Sequence, residues 1–175
     1  MDQPTQRAPN CTIGIDPGSR YTGYGVVVPT GGGYRHLGSG VLRVPTTIPF
    51  TERLGFIYRQ LTEIVAEYQP QFMAVEDVFI AANVKSAMKL GQARGAAILA
   101  GVNAGLPVYE YSALQIKQSV AGYGHAAKEQ VTKMIQTLLL LPGPLNPNAA
   151  DALAVALCHI NTHAFQMRCQ RAAQP

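Results

Sequence analysis

The sequence predicts an α/β domain: a five-stranded mixed sheet with helices on both faces. Two observations carry this. Three strand-like segments joined by short turns come first, and strand and helix patterns then alternate, giving the order βββ, α, β, α, β, α, α, α. The segment Phe72-Met-Ala-Val75 is continuously apolar, as a strand covered on both sides must be. Composition agrees, since 47% apolar and 14% charged residues over 175 positions suit one sizeable core rather than a disordered chain. The predicted domain spans residues 11–165, with residues 1–10 and 166–175 as loose termini.

Cys11–Asp16 reads as a short buried strand. Thr22–Val28 alternates with glycines at 23 and 25, and Gly31-Gly32-Gly33 turns it into a third strand, Tyr34–Val44. Short turns make these three strands antiparallel neighbours. Residues 50–68 carry apolar side chains at 54, 57, 58, 61, 64, 65 and 68, a helical stripe that Pro70 ends. A strand over 72–76 follows. Residues 83–105 are predicted helical, with Gly91, Gly95, Gly101 and Gly105 forming a small-residue face for a close-packed helix of a second subunit. Residues 107–111 form the fifth strand, and Ser112 caps a helix over 113–120. Gly122 and Gly124 break that helix. Further helices are expected over 126–140 and 149–164, separated by the loop Pro142–Pro147.

Charge narrows the function. The formal net charge is +4 and the pI about 9.1. Lys85, Lys89, Arg94, Lys117, Lys128 and Lys133 face only Glu110 and Glu129 in the middle of the chain, so a polyanion is a reasonable partner. Three cysteines without CxxC spacing argue against a disulfide framework or a zinc site and fit a reducing, cytoplasmic location. The first ten residues are polar with two prolines, unlike a secretory leader. The longest apolar stretch, residues 96–108, is broken by Asn103 and Pro107 and is too short to span a membrane.

Thr12-Ile-Gly-Ile-Asp-Pro-Gly-Ser-Arg20 ends a strand in an aspartate and breaks at once into a turn. Asp16 is therefore held rigidly with backbone amides beside it, either as a turn aspartate or as a ligand. Glu76 ends the apolar run, where a carboxylate is costly unless paired or ligated. Asp77 points to the other sheet face. Asp151 opens the last helix. It stands three residues after Asn148, so a capping role for this pair competes with a ligating one. Three carboxylates on two strands and a helix suggest a divalent-metal site acting on a phosphate, because magnesium and manganese prefer oxygen ligands. His125, His159 and His163 have no ligand spacing and read as structural or surface residues. An actin-like ATP-handling protein shares the Asp-x-Gly element but needs a second lobe, which 175 residues do not show.

Four segments together resemble the RuvC-type crossover junction endodeoxyribonucleases. They are Ile13-Gly-Ile-Asp-Pro-Gly-Ser-Arg-Tyr-Thr-Gly-Tyr-Gly-Val26, Val75-Glu-Asp-Val-Phe79, Lys89-Leu-Gly-Gln-Ala-Arg-Gly95 and Ala149-Ala-Asp-Ala-Leu-Ala154. They occur in order from about residue 12 to 162. The resemblance implies a ribonuclease H-like fold. It also implies Mg2+- or Mn2+-dependent resolution of Holliday junctions, in recombination and DNA repair, by a homodimer making paired symmetric nicks. Two ions per active site, products with 5′-phosphate and 3′-hydroxyl ends, and RuvA and RuvB branch-migration partners belong to the same implication.

Carried onto this chain, the catalytic carboxylates and metal ligands fall on Asp16, Glu76 and Asp151. A fourth position, normally Asp or His, is Asn148. Its neutral amide removes one negative charge, so this chain either works with an amide ligand or is a substituted, catalytically impaired form; a separate reading is a protein that binds four-way junctions without cutting them. Phe79 matches an aromatic that stacks on bases at the junction centre. Lys117 and Lys128 match lysines near the scissile phosphate: Lys117 is placed among the catalytic groups and Lys128 among the DNA contacts. Lys85, Lys89 and Arg94 are expected on the DNA backbone.

Overall fold

A computed structural model describes residues 10–77 and 83–173. The strands are β1 (Thr12–Asp16), β2 (Tyr21–Thr30), β3 (Gly33–Arg43), β4 (Phe72–Asp77) and β5 (Val108–Ser112). The helices are α1 (Phe50–Tyr68), α2 (Val84–Asn103), α3 (Ala113–Ala121), α4 (Lys128–Leu138) and α5 (Pro147–Ala172). The sheet order is β3-β2-β1-β4-β5. β1, β2 and β3 pair antiparallel, while β4 runs parallel to both β1 and β5. This is the predicted five-stranded mixed sheet.

Alternation along the strands sorts two cores. Ile13 and Ile15 of β1 and Met73 and Val75 of β4 are fully buried on the face covered by α1 and α2. Each such side chain contributes about 1.5–3 kcal/mol by leaving water. The opposite face packs Val27 and Ala74 against α3, α4 and α5. Asp16 and Glu76 share the parity of Gly14 and Ala74, so both carboxylates emerge on the α5 face at the C-terminal ends of adjacent parallel strands.

Glycine brings α5 onto that face. A Cβ at Gly14 would overlap the carbonyl oxygen of Ala152, and one at Gly23 would overlap that of Asn148. Without side chains at these two positions, the first turns of α5 lie directly on β1 and β2. The glycines expected to form one face of α2 divide. Gly101 receives Met73 of β4, whereas Gly91 and Gly95 have open space above them.

α5 departs from expectation at both ends. Asn146, not Asn148, accepts a hydrogen bond from a backbone amide of the first turn, and Pro147 occupies the first helical position. The helix also continues to Ala172 rather than fading near 164. Residues 148–172 contain neither glycine nor proline, so nothing stops it.

Candidate active site

Asp16 ends β1 opposite Gly23 of β2, and Glu76 lies one strand away near the end of β4. Asp151 reaches down from the second turn of α5. Because Asn146 performs the capping, neither Asn148 nor Asp151 is consumed by the helix start. Glu76, Asp151, Lys117 and Lys128 line one cleft of about 210 Å³, floored by Ala113, Ile116, Val131 and Ala154. Asn148 stands at the β2 edge of the site, its backbone against Gly23.

The carboxylates act on one another. Burial first, then the charges of Glu76 and Asp151, push the Asp16 carboxyl up to about 7, with Lys128 opposing. Burial and then Asp151 raise Glu76, against the pull of Lys128 and Lys117. Lys128 is itself raised, chiefly by its hydrogen bond to Asp151. Its ammonium donates to Asp151 Oδ2 at 2.5 Å. Among the described residues, no three His, Cys, Asp or Glu side chains are grouped closely enough to hold an ion as they stand. Lys128 brings positive charge to the cluster. The three carboxylates are hard oxygen donors, of the kind magnesium and manganese favour.

Arg94 and Lys128, both expected to contact DNA, pair with acids within the fold. Arg94 was expected on the phosphate backbone. Its Nε donates to the carbonyl of Glu76 at 3.2 Å, and its guanidinium pairs with Asp77 and with Glu110. It braces the ends of β4 and β5 on the face opposite the carboxylates, because an arginine facing two acids is neutralised within the fold. Lys128 lies among the carboxylates, lining the cleft with Glu76 and Asp151. Lys117 lines the same cleft, as expected. Lys85 is exposed on the first turn of α2, and Lys89 lies over the Phe50 ring at 5.5 Å. Phe79 falls outside the described residues. His159 is buried and bonds through Nδ1 to the Tyr111 hydroxyl at 2.9 Å, a structural place, while His125 is exposed. The sequence reading missed Asn146, although an Asn-Pro pair before a helix is a start signal.

Two strand-end carboxylates and one from the last helix, beside lysines on a five-stranded mixed sheet, offer oxygen donors suited to a divalent metal and a phosphate group. The family model described as crossover junction endodeoxyribonuclease RuvC matches residues 12–159. The RuvC of Geobacter metallireducens is 56% identical over 150 residues, covering 86% of this chain and 92% of its own length. That of Geobacter sulfurreducens is 55% identical with the same coverage. Thermus thermophilus RuvC, solved in complex with a Holliday junction substrate, superposes with a TM-score of 0.84 at 39% identity. That match covers 89% of this chain and 96% of the other. A yeast mitochondrial Holliday junction resolvase shares the fold at 12% identity and a TM-score of 0.68. This chain belongs to the RuvC family of crossover junction endodeoxyribonucleases.

Proposed function

We propose that the chain is a structure-selective endonuclease that resolves four-way DNA junctions with a divalent metal. The gathering of Asp16 and Glu76 at the ends of adjacent parallel strands on the face that α5 covers with Asp151, beside Lys117 and Lys128, is the observation that carries this reading. Asp16, Glu76 and Asp151 would hold Mg2+ or Mn2+, and two such ions would supply activated water and charge stabilisation at the leaving oxygen. Around them, Lys117 and Lys128 hold the scissile phosphate. With a metal held by Asp151, the Lys128 ammonium that now bonds this carboxylate would be available to a phosphate oxygen. Arg94 acts indirectly, by fixing the end of the strand that carries Glu76. Phe79 is assigned to base stacking at the junction centre, and Lys85 and Lys89 to backbone contacts.

Asn148 keeps the site one negative charge short and weakens the second metal. Purified chain with Mn2+ or Mg2+ should nick opposing strands of a four-way junction to give ligatable ends, and Asn148→Asp should speed the reaction. No cleavage by either form overturns the enzymatic reading. Cleavage only after Asn148→Asp assigns the natural chain to junction binding without cutting.

The homodimer rests on α2. Val84, Met88, Gly91, Gly95, Leu99 and Val102 follow one another at steps of three and four, and the four larger side chains are 52–78% exposed. Such a seam, with no side chains at its middle, suits a second copy of the same helix. Two copies would present two sites for paired nicks. RuvA and RuvB are the proposed branch-migration partners, and the cytoplasm the proposed location. No helix among the described residues is long and apolar enough to cross a membrane.

A further inference from the structure

The lysines of the carboxylate cleft lie on α3 and α4, toward the β5 side of the sheet. The other side also carries positive charge. β2 begins and β3 ends at the same end of the sheet as Asp16, because both run antiparallel in sequence. Tyr21 pairs with Arg43, and Tyr21 shares the parity of Gly23, which lies under α5. Tyr21 and Arg43 therefore emerge on the same face as Asp16. With Arg20, Val44, Pro45 and Thr46 they line a cleft of about 470 Å³.

This cleft is held open and charged. Arg53 donates to the carbonyls of Thr46 and, at 3.1 Å, of Ile48, fixing its far wall. Arg20 and Arg43 are exposed, and the ion pairs among the described residues involve neither. Tyr21 is 53% exposed between them, although a strand-end tyrosine can bury its ring readily. Arg43 stands two strand spacings from β1, about 10 Å from the line of Asp16.

We propose that Arg20, Tyr21 and Arg43 form a backbone-phosphate subsite that sets the register of the cleaved strand. It rests on the reading that the carboxylates act on junction DNA. Successive phosphates of one strand lie about 7 Å apart through space, roughly twice the axial rise of about 3.4 Å, so the phosphate engaged lies one or two nucleotides from the scissile one. The arginines bind its oxygens through their paired donors, and the Tyr21 hydroxyl adds a third donor. The scissile strand is then gripped on both sides of Asp16, by lysines on one and by arginines on the other.

The test measures junction affinity against salt without divalent metal, for the full chain and for Arg20→Gln/Arg43→Gln, with Arg43→Lys as the charge-retaining control. Junctions carrying one neutral methylphosphonate, walked one to five nucleotides from the nick, form the second arm. Loss of this one phosphate contact should reduce the slope of log affinity against log salt by about 1, with roughly tenfold weaker binding in moderate salt. A methylphosphonate one or two nucleotides from the nick should weaken the natural chain, leave the double variant unchanged, and shift the nick position only in the former. Arg43→Lys should restore most of the slope. A double variant with the natural slope and the natural methylphosphonate sensitivity overturns the subsite alone. Absence of any salt-dependent junction binding by the natural chain overturns the subsite and the junction reading together.

Discussion

At the scale of single residues, the site stores electrostatic tension that Lys128 partly relieves. Asp16 gains affinity for a proton on folding, since its carboxyl is raised to about 7 from an ordinary value near 4. Protonation favours the fold, so this group's stabilising contribution is complete below about pH 4 and lost as pH rises through about 7. His159 acts in the opposite sense. Burial lowers it to about 4, so it opposes folding as pH falls through the range in which an unfolded histidine charges. The two trends overlap, and the comparison that isolates Asp16 is against Asp16→Asn. Metal-free protein should gain more stability from Asp16→Asn at pH 8 than at pH 5, read from thermal melts. Equal gains at both pH values would contradict the placement of Asp16 among like charges. Arg94 shows what charge in a sequence does not reveal. Its neighbours Lys85 and Lys89 remain exposed, yet Arg94 is drawn to Asp77 and Glu110 because β4 and β5 end beside it.

At the scale of elements, the site depends on how closely α5 lies on β1 and β2. Gly14 and Gly23 permit that approach. Gly14→Ala would force the Cβ against backbone that cannot rotate away, and should cost about 1–3 kcal/mol, with loss of metal affinity as Asp151 lifts. A denaturant midpoint unchanged from the natural protein would show that the contact is looser than described.

Much at this scale was readable beforehand. Strand alternation put Asp77 on the face away from Glu76, and the stripe over 50–68 matches α1 end to end. Asn148-Ala-Ala-Asp151 misled because its spacing imitates a cap, while the Asn146-Pro147 pair two residues earlier starts the helix. The continuation to Ala172 was missed because an exposed polar helix has no apolar stripe to mark it. The glycines of β1 and β2 were visible, but the helix they admit is distant in sequence and became apparent only in three dimensions.

At the scale of the molecule, paired nicks require two sites at a fixed separation, and α2 is where two copies would meet. Leu99 is 53% exposed on the seam and does not contribute to the core. Leu99→Glu should leave the fold intact and halve the mass measured by sedimentation equilibrium. Uncoupled nicking of the two strands should follow. A dimer that persists unchanged would move the interface away from α2.

The most direct measurement is a Mn2+ titration of the natural chain and of Asp16→Asn and Asp151→Asn, followed by the paramagnetic resonance of free ion. The natural chain should take up Mn2+ at neutral pH, and each variant should lose at least tenfold in affinity. Binding that is indifferent to both substitutions would mean that these acids do not gather a metal, and the account of the active site would fall.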